Sequence, residues 1–337
     1  MSTIEVTPSG EDADAVAAAT AGDESAFSEL SERYRPELRV HCYRMLGSFE
    51  DSEDLTQETF LRAWRKRASF EGRSSFRAWL YRIATNACLD ALERRSRRVP
   101  QLQEAGTATF EVPWLQPYPD RLLEEIATTD AEPEAAVVAK ETIELAFLVA
   151  IQQLPPRQRA VLIMRDVLDW SASDAAAVLD GSVASVNSAL QRARAALKKH
   201  LPERRLELAP GSDASQEERV LLRRYVDAHE RADADAFVEL MREDARFSMP
   251  PQPELYVGRE TIVAAWKEGG FGPDRDFRCL PTRANMQPAV ACYERGPGVS
   301  EYRLFALDVL RIEDGLVAEI IAFAGTTFPA FDLPSRL

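Results

Sequence analysis

The stretch "LPPRQRAVLIMRDVLDWSASDAAAVLDGSVASVNSALQRARAALKKH", residues 154–200, reads as three helices wound on one apolar seam. The spacing predicts a first helix from Arg157 to about Val167 and a short second one over Ser171–Leu179, where Ala175 and Ala176 allow close packing. Asp180-Gly181 makes a turn, and Ser182 can cap a third helix from Val183 to about His200. Val183, Val186 and Leu190 are expected to face inward. That leaves Ser185, Asn187, Ser188, Gln191, Arg192 and Arg194 outside. Small polar, amide and guanidinium groups on one exposed face are what a recognition helix lays into a DNA major groove. A generic helical hairpin is the plainer alternative.

Upstream stands "DSEDLTQETFLRAW", residues 51–64. On a helix, Asp51, Asp54, Glu58, Arg62 and Arg65 fall in one stripe, and Thr56, Phe60, Ala63 and Trp64 fall opposite. The early acids suit the helix macrodipole. A solvated amphipathic helix would show the same pattern. Next comes a helix over about 75–95 that is expected to bury Phe76, Leu80, Ile83, Ala84, Ala87 and Ala91, with Thr85 off that face. Phe70, Phe76, Trp79 and Tyr81 interleave there with Arg67, Arg73, Arg77 and Arg82. Aromatic rings stack on unpaired bases and arginines neutralise phosphates, so this mixture suits single-stranded DNA.

The net charge is −14, but residues 62–98 hold 11 basic and 3 acidic residues, so acidity overall does not exclude nucleic acid. Cys42, Cys88, Cys279 and Cys292 are scattered with no CxxC or His/Cys cluster. That argues for reduced cytoplasmic thiols and against a zinc site. No run approaches a membrane span of roughly 18 apolar residues, and the first residues lack the basic start and apolar core of a signal peptide. The chain divides into helical residues 22–98, an acidic Pro- and Thr-rich linker at 99–138, helical residues 139–200, a linker at 201–214 and a mixed segment at 215–330. Within the last, "EYRLFALDVLRIEDGLVAEIIAFAG", 301–325, reads as two strands flanking an Asp314-Gly315 turn.

"EDLTQETFLRAW", "FRAWLYRIATNACLDALERR" and the 154–197 motif, in that order and spacing, resemble the sigma-70 superfamily of bacterial initiation factors, extracytoplasmic-function type. The resemblance covers roughly residues 22–200. It implies two all-α sigma domains, region 2 and a helix-turn-helix region 4, that bind core RNA polymerase (β′ clamp and β flap) and promoter DNA in the cytoplasm. Carried residue by residue, it assigns Asp51, Asp54, Gln57 and Glu58 to the clamp. It assigns Phe70, Arg73, Ser74, Trp79, Arg82 and Asn86 to the −10 element, and Ser182, Ser185, Asn187, Ser188, Gln191, Arg192 and Arg194 to the −35 element. The acidic linker matches the connector that threads toward the RNA exit channel. The chain departs from the pattern at Asn187, where relatives often carry Lys or Arg, and at Asp174, where they often carry Glu.

Residues 215–330 resemble the α+β cone of SnoaL and NTF2-like proteins, carried by "AHERADADAFVELMREDARFSMPP", "YVGRETIVAAW" and "EDGLVAEI". The resemblance implies an appended domain that modulates the sigma regions through intramolecular contact. The alternative is a ligand sensor or isomerase-like enzyme, with Tyr225, His229, Asp244, Tyr256 and Trp266 as pocket candidates. None of these has a spacing diagnostic of catalysis, so the expectation is no enzyme, no cofactor and no metal. An autoregulated repressor would not need the acidic helix at 51–64.

Overall fold

The computed structural model describes residues 10–72, 74–96, 112–123, 143–200, 216–269, 271, 275–325 and 328–337. Most of the 99–138 linker and all of the 201–214 linker lie outside the described residues, as does Arg73. The chain forms two compact units. One contains Met1–Gln101, Leu122–Thr142 and Ala150–Leu206; the other contains Leu102–Arg121, Ile143–Val149 and Glu207–Leu337.

The first unit is helical. Helix α1, Gly10–Ala21, lies ahead of the expected start at residue 22. Its alanines favour a helix, but they draw no apolar stripe to read. Helix α2, Glu24–Leu46, starts on Asp23, whose carboxylate accepts from the amides of Ser25 and Ala26, and stops at Gly47 in the left-handed region. Helix α3, Phe49–Lys66, is capped by Ser48 and buries Ser52, Thr56, Thr59, Phe60 and Ala63. Helix α4 spans Phe76–Ser96. It buries Phe76, Leu80, Ala84 and Ala87, with Ile83 and Ala91 half-buried. Tyr81 and Thr85 are also buried, against expectation. Tyr81 donates to Glu37 and Thr85 bonds His41, so polar partners let both enter the core.

Helix α5, Leu145–Gln152, precedes α6, Pro156–Leu162, which continues as a π-helical turn over Ile163–Val167. Helix α7, Ala172–Val178, and α8, Val183–His200, complete the helix-turn-helix. Ser171 caps α7, and Asp180, in the left-handed region, makes the turn with Gly181. Val186, Leu190, Ala193 and Leu197 form the buried seam of α8. Val183 does not join it. At the first helical position, before the buried seam begins at Val186, it is 46% exposed.

Helices α5 and α6 dock on the carboxyl end of α2. Helix termini leave carbonyls without partners. Here Gln152 donates to the Arg44 carbonyl at 3.0 Å, and the buried Arg159 guanidinium reaches the Met45 carbonyl. Arg159 also donates to the Gln152 carbonyl at 2.8 Å and the Leu154 carbonyl at 3.2 Å. A cation there also opposes the negative end of the α2 dipole.

The second unit is a six-stranded sheet ordered β2-β1-β6-β5-β4-β3. Its strands are β1 Met241–Ser248, β2 Leu255–Val257, β3 Asp276–Ala284, β4 Gln287–Arg295, β5 Arg303–Glu313 and β6 Leu316–Ala324. β1 and β6 pair in parallel and every other pair is antiparallel. Helices α9, Gln216–Glu230, and α10, Arg259–Gly269, pack their apolar faces on it around Tyr225, Phe237, Trp266 and Leu310. Asp314-Gly315 forms the expected hairpin turn, with φ of 52° and 75°. A second tight turn, Asn285-Met286, joins β3 to β4 with φ of 55° and 61°. Asn tolerates that conformation.

Part of the 99–138 linker belongs to this sheet. Asn285 is fully buried. Its Oδ1 accepts from the Tyr118 amide at 2.8 Å, and its Nδ2 donates to the Ile143 carbonyl at 2.7 Å. Asp120 accepts from the Met286 amide at 2.8 Å and from Arg283 at 3.2 Å. Gln287 accepts from the Leu145 amide at 3.2 Å.

Candidate nucleic-acid interface

On α3 the expected acidic stripe divides. Asp54 and Gln57 are exposed, with no hydrogen bond or ion pair among the described residues, and Leu61 beside them is 45% exposed. Glu58 holds Arg62 at 2.8 Å, and Arg62 also reaches Asp90. Asp51 is half-buried and paired with Arg95 of α4, so it serves packing between helices as well as surface charge.

At the start of α4 three aromatic rings meet. Phe70 and Trp79 lie 5.4 Å apart between centroids, Phe76 and Trp79 5.5 Å, and Phe70 and Phe76 5.6 Å. Phe76 is buried, while Phe70 and Trp79 keep partly open edges and Ser74 is exposed. Arg82 is exposed and pairs with Asp180 of the helix-turn-helix turn at 2.5 Å. Asn86 is half-buried one turn further along α4. Tyr81 is committed inward, its ring 4.9 Å from His41 and 5.1 Å from Trp170.

Ser182, just before α8, and Ser185, Asn187, Ser188, Gln191, Arg192 and Arg194 on it are all exposed. Several already have local partners. Ser182 and Ser185 exchange amide-to-hydroxyl bonds of 3.1 Å and cap the helix. Arg192 donates to Ser188 at 2.6 Å. Arg194 is forked onto Asp166 at 2.8 and 2.6 Å. Exposed ion pairs of this kind are worth less than about 1 kcal/mol, so phosphate can displace them.

The chain is 43% identical over 324 residues to the ECF RNA polymerase sigma factor SigG of Mycobacterium tuberculosis, covering 92% of this chain and 85% of that protein. The chain belongs to the ECF RNA polymerase sigma factors. Family models match at Sigma-70 region 2 over 30–98, Sigma-70 region 4 over 144–197 and the SnoaL-like domain over 222–320. SigW of Bacillus subtilis is 33% identical over 183 residues, 53% of this chain and 91% of that one. The crystal structure of the M. tuberculosis extracytoplasmic function sigma factor SigJ shares the fold, with a TM-score of 0.55 at 23% identity over 88% of this chain and 96% of that one. This ECF sigma factor therefore directs RNA polymerase to promoters and initiates transcription, through binding to core polymerase and promoter DNA. No helix among the described residues is long and apolar enough to cross a membrane.

In the cone of this sigma factor the five pocket candidates do not form one site. Asp244 is exposed and paired with Arg242 at 2.9 Å. Tyr256 is half-exposed, and Trp266 packs against Phe237, Phe247 and Phe271. Tyr225 and His229 do converge, on a residue the sequence reading missed. Tyr225 donates to Asp308 Oδ2 at 2.8 Å, and His229 Nε2 lies 4.0 Å from the same oxygen. Burial pushes the Asp308 carboxyl pKa up, against the pull of His229 and Tyr225. Cys279 and Cys292 join them as direct cross-strand partners in β3 and β4. Strand register joins Cys279, Cys292 and Asp308, and the packing of α9 on the sheet brings Tyr225 and His229 to them, so no sequence spacing could have signalled the cluster.

Proposed function

We propose that the exposed face of α3, Asp54, Gln57 and Leu61 with Glu58 and Asp51 at its margin, docks on core polymerase. The observation that carries this reading is that Asp54 and Gln57 stand solvated beside an exposed leucine on a helix where Asp51, Glu53 and Glu58 are paired with arginines. Phe70, Ser74, Trp79, Arg82 and Asn86, with Arg73 outside the described residues, read the −10 strand. Ser182, Ser185, Asn187, Ser188, Gln191, Arg192 and Arg194 read the −35 duplex. The division of labour follows 22–98 as region 2, 139–200 as region 4 and 215–330 as the cone, all in the cytoplasm.

The cone modulates transcription without catalysis by gripping the connector between the two DNA-reading regions. Asn285 and Asp120 support this, because Asn285 accepts from the Tyr118 amide of the connector and Asp120 of the connector accepts from the Met286 amide of the β3–β4 turn. Asp244 and Tyr256 are outside the Tyr225–His229 cluster, which speaks against the enzyme reading.

The test is core binding by Asp54→Lys with Gln57→Ala, leaving the Asp51–Arg95 pair intact. The double variant should lose core affinity at least tenfold while its melting temperature stays within a degree or two of the parent. Unchanged affinity in a titration against core polymerase would remove the assignment.

A further inference from the structure

The interior of the cone holds a set of ligating atoms that promoter recognition does not use. His229 lies in the last turn of α9, Cys279 in β3, Cys292 opposite it in β4 and Asp308 in β5. One ligand atom each from His229, Cys279 and Cys292 lies within 4.8 Å of the others. Asp308 Oδ2 stands 3.5 Å from Cys292 Sγ and 4.0 Å from His229 Nε2. All four residues are buried: His229 is 5% exposed, Cys279 6%, Cys292 0% and Asp308 6%. His229 Nδ1 has no hydrogen-bond partner among the described residues.

Two physical arguments point the same way. First, burial of polar groups is costly unless they are satisfied. Here His229 Nδ1 has no hydrogen-bond partner among the described residues, and its Nε2 stands 4.0 Å from Asp308 Oδ2, beyond hydrogen-bond reach. Second, the spacing suits a tetrahedral ion. Bonds of about 2.3 Å to sulfur and about 2.0–2.1 Å to oxygen and nitrogen put neighbouring sulfur and oxygen ligands about 3.5 Å apart, and nitrogen and oxygen about 3.4 Å apart. The first spacing is already present; the second needs His229 to close by about half an ångström.

We propose that His229, Cys279, Cys292 and Asp308 form a closed tetrahedral site for a thiophilic divalent cation, zinc by its chemistry. Tyr225 orients the Asp308 carboxylate by donating to it from outside the ligand set. Four protein ligands leave no position for substrate, so the site is structural. It ties the end of α9 to three adjacent strands. The cone is then stabilised by metal, increasingly with the logarithm of free metal above its Kd.

The experiment uses the reduced full-length chain with Co2+ as a spectroscopic probe and Zn2+ as competitor. One equivalent of Co2+ per chain should give a thiolate charge-transfer band and tetrahedral ligand-field bands, both bleached by one equivalent of Zn2+. Cys279→Ser with Cys292→Ser should abolish the charge-transfer band. Cys42→Ala, in the other unit, should leave it intact. Tyr225→Phe should keep the spectrum and weaken affinity roughly 10- to 100-fold. The wild-type spectrum decides the matter even where a variant fails to fold. Absence of a thiolate band on the wild type at saturating Co2+ overturns the site. So does its persistence in the double cysteine variant. A Cys279–Cys292 disulfide that forms in air at the same rate with and without Zn2+ would make the pair a redox couple, and would also overturn the proposal.

Discussion

His41 sits fully buried in α2, with Nε2 2.9 Å from Thr85 Oγ1 and its ring against Tyr81. Burial, with Arg44 and Arg77 nearby, pulls its pKa down to about 3. An unfolded histidine takes up its proton near pH 6.5. Below that pH the unfolded chain binds a proton that the folded chain refuses. The contribution of His41 is therefore fully present above about pH 6.5 and is lost progressively as pH falls toward 3. The slope is about 1.4 kcal/mol per pH unit, or about 2 kcal/mol between pH 6.5 and 5. His41→Gln, which can keep a bond to Thr85, should flatten the pH dependence of denaturant unfolding in that window. Identical slopes for variant and parent would show that another group carries the acid sensitivity.

At the scale of elements, Arg159 of α6 is the buried cation on which the end of α2 depends. Burial, then Arg95, lowers its pKa to about 10, so it remains charged at neutral pH. Arg159→Ala leaves the carbonyls of Met45, Gln152 and Leu154 short of donors. The expected cost is about 3 kcal/mol. Amides of α6–α8 should then exchange hydrogen faster, while those of β4–β6 keep their protection. Equal acceleration in both units would mean that Arg159 supports global stability rather than this docking. Arg159→Lys should restore only part, because an ammonium lacks the guanidinium fork. The helices themselves were legible because caps and periodicity are local: Ser182 and the Asp180-Gly181 turn do what the sequence suggests. What escaped is what long-range packing decides. Tyr81 and Thr85 read as surface and are core, because Glu37 and His41 partner them from α2. Asp51 read as free surface charge and binds Arg95. The Asn285-Met286 hairpin carries no glycine to announce it. The cone's cysteine pair depends on strand register, which the sequence does not state.

At the scale of the molecule, the acidic linker at 99–138 resembles a connector that threads toward the RNA exit channel, yet its residues 112–121, and Ile143–Val149 after it, belong to the cone's unit. Because residues 112–121 lie between region 2 and region 4 in the chain, and Ile143–Val149 at the entry to region 4, the cone holds part of the covalent route from one region to the other. A polymerase that requires the connector elsewhere must displace Tyr118 and Ile143 from Asn285, and a ligand or metal that stiffens the cone would oppose that exchange. Such coupling can be no larger than the differential stability of the held and released connector. Asn285→Ala removes two buried bonds at once. Limited proteolysis should then cut within residues 112–121 faster than in the parent, with β4–β6 still protected. Promoter-dependent transcription should change several-fold at fixed core polymerase, in the same direction as for a chain ending near residue 205. Core affinity should rise by no more than the weakened grip accounts for, since α3 is untouched. If the three transcription titrations superimpose at every core concentration, the connector is held without consequence and the cone is a passenger.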